Sequence, residues 1–170
     1  MELLRTTLRL VHIFGGTFWV GASLLINLFI QPVVQSLGPE GSRFMQRLTA
    51  CTPLPLVMNI SAALTTTAGF ILYWQNSSFR LDWILTREGI LFTIGSLAGI
   101  LSFILGWTLR RPVASRMASL GKEIQSAGGP PTAAQMKEMG TLQARMRTSG
   151  VMDVILLVLA AVTMSTARMF

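Results

Sequence analysis

Hydrophobic and polar positions divide the chain into four long apolar runs separated by polar connections. The runs cover about residues 8–34, 53–74, 89–109 and 150–167. Each is near the roughly 20 residues an α-helix needs to cross the hydrocarbon layer of a bilayer. In lipid every backbone N–H and C=O must be satisfied internally, which excludes an open sheet. The pattern therefore predicts an all-α fold, a four-helix transmembrane bundle forming one integral membrane domain over residues 1–170. The first run is too long for a secretory leader, and no small-residue cleavage site follows it. No internal repeat is evident.

The connection 110–149 carries its own pattern. Met117, Leu120 and Ile124 recur at helical spacing before "AGGPP" (127–131), and Met136, Met139, Leu142 and Met146 recur after it. A helix stop followed by a helix start, flanked by two apolar stripes, predicts a helical hairpin continuing spans three and four. It is expected to project past the bilayer by roughly 20 Å, as a spacer or as a docking handle. Residues 38–53 read as a short amphipathic interfacial helix with Phe44, Met45 and Leu48 on one face. Residues 75–88 read as an interfacial segment anchored by Trp74 and Trp83.

Composition strengthens the membrane reading. The chain is 51% hydrophobic and only 12% charged, about half the charged share of a soluble domain, and its mean hydropathy is +0.57. The net charge of +7 flanks the spans, so anionic lipid headgroups rather than nucleic acid are the expected counter-charge. Nine of the 14 Lys and Arg residues lie in the 1–2 and 3–4 connections and five on the other side. The positive-inside rule then places the hairpin in the cytoplasm and both termini outside, in what is expected to be a bacterial inner membrane. The single cysteine, Cys51, excludes an internal disulfide and any CxxC motif. It is expected to be a buried packing thiol.

Polar groups inside spans are costly and mark candidate sites. Asn27, Asn59, Ser102 and Asp153 fall at a similar depth near the cytoplasmic side and are expected to form one intramembrane cluster. It reads as an interhelical clasp or as a proton or cation site. Arg145 and Arg147 are placed to reach back to Asp153. At the outer side stands the only histidine, His12, with Met164 at a comparable depth. Imidazole and thioether together suit haem b or copper, while an interfacial histidine bonded to lipid or a carbonyl is the plainer reading. In span three, Gly95, Gly99, Ser102 and Gly106 form a small-residue stripe for helix packing, within the bundle or against another subunit. Small residues also cluster in span one (Gly15, Gly16, Gly21) and span two (Ala62, Ala63, Thr65, Thr66, Thr67).

The stretch "LVHIFGGTFWVGASLLINLFIQPVV" (10–34), with His12, Gly15 or Gly16, Trp19, Gly21 and Pro32, resembles the first span of copper-resistance-D-like (CopD-like) membrane proteins, to which the HemJ-type haem proteins are distantly related. The resemblance implies haem or copper handling with His12 as the ligand. Three functions follow as expectations: a redox or metal-handling membrane protein with His12, and Met164 as a candidate second ligand; a non-catalytic accessory subunit, as a homo-oligomer or with other membrane subunits; and a proton- or cation-coupled transporter using Asp153. No nucleophile–base pair, phosphate loop or paired carboxylate argues for an ordinary enzyme.

Overall fold

The computed structural model describes residues 2–169. Four of the described helices are long and apolar enough to cross a membrane: α1 (Glu2–Ser36), α3 (Leu54–Ser77), α5 (Arg87–Ser126) and α6 (Ala133–Met169). Two shorter helices, α2 (Pro39–Cys51) and α4 (Leu81–Ile84), lie in the connections, and no described residue is in a strand. In space α1 neighbours α3, α3 neighbours α5, α5 neighbours α6, and α6 closes the ring on α1. The α1–α3 and α5–α6 seams are the most intimate.

Local chemistry sets the helix ends. Glu2 complements the positive end of α1. Gly38 turns the chain after α1 with φ of +56°, and Gly41 then passes so close to the Val34 carbonyl that a Cβ there would overlap it. Thr86 caps α5 by accepting from the Gly89 N–H at 3.0 Å. Thr132 and Gln135 form a reciprocal capping box at the start of α6.

Both α1 and α5 contain one widened turn of π-helix, at Leu25–Ile30 and at Gly106–Arg110. The Gln31 N–H bonds to the Ile26 carbonyl and the Arg111 N–H to the Gly106 carbonyl, five residues back rather than four. Each widened turn stands just before a proline, Pro32 or Pro112. A proline inside a helix has no N–H to give, and its ring crowds the carbonyl four residues back, here Leu28 or Thr108. Widening the preceding turn relieves that crowding without ending the helix.

The bundle interior is small. Trp19, Ala62 and Leu157 are buried together from α1, α3 and α6, with Val20, Met58 and Phe103 against them. The outer surface is apolar, with Phe29, Leu97, Ile155 and Val162 among many exposed side chains, as suits a lipid-facing bundle. A second cluster lies beyond the bundle, where the end of α5 packs on the start of α6. Val113, Leu120 and Leu142 are buried there, flanked by Met117, Ile124, Met139 and Met146. Arg116 pairs across this seam with Glu138 at 2.7 Å. Met136, expected in the seam, is 64% exposed, because the contacts begin only one turn further along α6. Cys51 is exposed rather than buried, at the end of α2.

Candidate functional site

Asp153 is the most heavily contacted polar group in the bundle. It is 1% exposed and receives three side-chain donors from two other helices. Ser23 of α1 donates to Oδ2 at 3.1 Å. Ser102 of α5 donates to Oδ1. Arg110, also of α5, pairs with Oδ2 at 2.5 Å. Burial of a carboxylate is costly unless it is paired and hydrogen-bonded, and here both conditions hold.

The widened turn in α5 explains how Arg110 arrives. Eight residues after Ser102, an unbroken α-helix has turned about 80° past it. Absorbing one residue into the wide turn gives Arg110 the register of the seventh residue, within about 20° of Ser102. Pro112 thus helps turn an arginine onto the bundle-facing side of α5. In α1, Asn27 lies in the matching widened turn and donates to the Ser23 carbonyl at 2.8 Å. Its Oδ1 occupies the space a Cβ at Gly150 would need, so Gly150 lets α1 approach α6.

Of the expected cluster, Ser102 and Asp153 bond directly and Asn27 stands one contact away, through Ser23. Asn59 is exposed on α3 and lies outside the cluster. Depth alone suggested it, but Asn59 faces away from the interior, where Ala62, one turn further along α3, packs with Leu157 of α6. Arg145 and Arg147 are not the partners of Asp153; Arg110 takes that place. Ser23 and Arg110 were the unexpected members. Ser23 lies on the stripe of Trp19 and Asn27, which was a usable signal, whereas Arg110 required knowing the register change before Pro112.

His12 lies half-buried in the α1–α3 seam. Its Nδ1 contacts the Thr65 carbonyl at 2.9 Å, and the Thr65 hydroxyl donates to the His12 carbonyl at 3.4 Å. A carbonyl only accepts, so Nδ1 carries the proton and Nε2 keeps the lone pair in the neutral ring. Gly69 makes room for the imidazole, since a Cβ there would stand 2.7 Å from Cε1. Gly15 performs the same service for the Thr65 side chain. Met164 packs in the other seam, its Cγ 2.8 Å from where a Gly95 Cβ would be. One imidazole nitrogen of His12 is thus left without a bond to the chain, and Met164, the expected second ligand, packs in a different helix seam from His12. Among the described residues no group of three or more His, Cys, Asp and Glu side chains gathers as a metal site.

The small-residue stripe of α5 divides in two. Gly95 faces Ala160, Thr163 and Met164 of α6, while Gly99 and Gly106 have no atom within 4 Å of an added Cβ. At the end of the bundle where α1 begins, Arg5 of α1 bonds to Asn76 of α3, and Tyr73, Trp83 and Phe92 form an aromatic cluster.

Fold and site together define an all-helical membrane protein, braced internally by polar contacts at two depths. Comparison of the chain with protein-family models, curated proteins and solved structures finds no match.

Proposed function

We propose that the chain is a non-catalytic subunit of a larger membrane assembly, built as a braced bundle with one open face for a neighbouring helix. The observation that carries this reading is the saturation of Asp153 by Ser23, Ser102 and Arg110. A carboxylate so occupied ties α1, α5 and α6 together. To carry a proton or cation it would first have to give up an ion pair in a low-dielectric interior. Gly99 and Gly106 leave α5 open to close approach, which favours van der Waals packing of another membrane helix. In this reading the connection between α5 and α6 is a cytoplasmic hairpin, and both termini lie outside a bacterial inner membrane, as the basic-residue bias favours.

Purification from native membranes in mild detergent tests it. The chain should travel with partner chains or as a homo-oligomer, and Gly99→Leu should release it. A monomer in both wild type and variant ends this proposal. Asp153→Asn should leave ion or proton flux in reconstituted vesicles unchanged, and a lost flux would instead favour the transporter.

A second reading, haem or copper binding, is favoured by the anchored Nδ1 of His12, which leaves Nε2 basic. With one ligand from this chain, the second would be exogenous or come from another subunit. Bound haem or copper would supply one-electron chemistry. Natively purified protein should then show a Soret band or stoichiometric copper that His12→Ala removes. A colourless, metal-free and folded preparation would exclude this reading.

A further inference from the structure

A groove of about 330 Å³ opens between α5 and α6 where the helices leave the bundle. Its walls include Leu109 from α5 and Thr141, Ala144, Arg145, Thr148 and Met152 from α6. The α6 residues form one stripe, with Met152 nearest the bundle and Arg145 about 10 Å further along the axis. Met152 precedes the buried Asp153 and so lies at acyl-chain depth. The headgroup layer is roughly 5–8 Å thick on each side of the hydrocarbon, so Arg145 reaches its outer part. On α5 the same level is marked by Trp107, with the Arg111 guanidinium 4.3 Å above its ring, an anchor typical of the interface. The groove wall is apolar, formed largely by the carbon atoms of these side chains, and the exposed Arg145 stands at its edge at headgroup depth, so acyl-chain wall and cation follow one another along the direction in which a lipid lies.

Charge decides which lipid. Arg110 is paired with Asp153, and Arg116 with Glu123 and Glu138. Among the described residues no carboxylate pairs with Arg145. A zwitterionic headgroup would bring a second cation to a mouth that has no acid to receive it.

We propose that this groove holds one anionic phospholipid, with its phosphate on Arg145 and the Thr148 hydroxyl and an acyl chain over Leu109 and Met152. The site is independent of the assembly reading, since it lies wholly within one chain.

The test uses the full chain in mild detergent, titrated with dioleoyl phosphatidylglycerol or dioleoyl phosphatidylcholine, with native mass spectrometry counting bound lipid and thermal unfolding as a second readout. One phosphatidylglycerol should be retained in preference to phosphatidylcholine. Arg145→Gln should cut that preference about tenfold, the scale of one charge-assisted contact. Arg147→Gln, outside the groove, should keep it. Thr148→Phe, which fills the groove at an exposed position, should lower retention of phosphatidylglycerol without needing Arg145 changed. Equal retention of both lipids, an unaltered preference in Arg145→Gln, or undiminished retention of phosphatidylglycerol in Thr148→Phe overturns the proposal. So does equal stabilisation by inorganic phosphate alone, which would assign the arginine to a free anion.

Discussion

The two polar contacts inside the bundle are built differently. Around Asp153, side chains meet side chains, three helices take part, and a charge is neutralised within the cluster. Around His12, a side chain meets a backbone carbonyl, two helices take part, and one ring nitrogen keeps its lone pair. The first arrangement is self-sufficient, so its value lies in holding helices together. The second is half-finished, so it can hold helices together and still offer a ligand. Polarity within a span thus does not identify a working site; the valence left over does.

The comparison predicts unequal costs. Arg110→Met leaves Asp153 buried without its cation, and breaking such a pair costs about 3–5 kcal/mol. Among single substitutions at these two contacts it should produce the largest loss of stability, read by unfolding in mixed micelles. Replacing both partners, as Arg110→Met with Asp153→Leu, should recover much of that loss, because no uncompensated charge remains. If the double variant is no better than the single one, the pair is not the brace it is taken to be.

Gly150→Ala should come next. The new Cβ collides with the Asn27 carboxamide at the α1–α6 crossing, and overpacking of this kind costs about 1–3 kcal/mol. Adding Asn27→Ala should restore stability, since the collision is with that side chain. Rescue in the double variant, and none by Asn59→Ala on α3, is the diagnostic result.

His12→Ala should cost less, about 1 kcal/mol for one neutral hydrogen bond. Gly69→Ala should cost at least as much as His12→Ala, because its Cβ would press on the imidazole Cε1 at 2.7 Å. The pair His12→Ala with Gly69→Ala should be milder than the sum of the two, measured as a double-mutant cycle. Full additivity would mean the ring does not rest on Gly69.

Much of this architecture was legible in the residues, and the parts that were not share a cause. Long apolar runs report spans directly, and Asp153 with Ser102 stood out because polar groups in spans are rare. Depth, however, is one coordinate, and a cluster needs two. Asn59 has the right depth on the wrong face of its helix, and only the packing of α3 in the bundle reveals it. Arg110 has the right helix, but its face depends on a turn widened before Pro112. His12 and Met164 share a side of the membrane and differ in seam. Helix faces and neighbours were the missing information, and a single sequence carries little of either.

The smallest effect is expected outside the bundle, where the α5 and α6 extensions meet. Arg116 donates to Glu138 there at 2.7 Å, and this contact holds the Glu138 carboxyl below its usual range, chiefly through the hydrogen bond from Arg116. A carboxyl lowered on folding contributes stability above its unfolded pKa, and that contribution is lost as pH falls through the lower folded value. Wild type should therefore exceed Arg116→Gln slightly at neutral pH and converge with it in acid. Both side chains are 40% or more exposed, so solvent and salt weaken the pair. Raising ionic strength at neutral pH should bring the two melting curves together, while the gap between wild type and Arg110→Met stays open. If salt closes both gaps alike, Asp153 is no more sheltered than Glu138, and the contrast between a sealed brace and a solvated one fails.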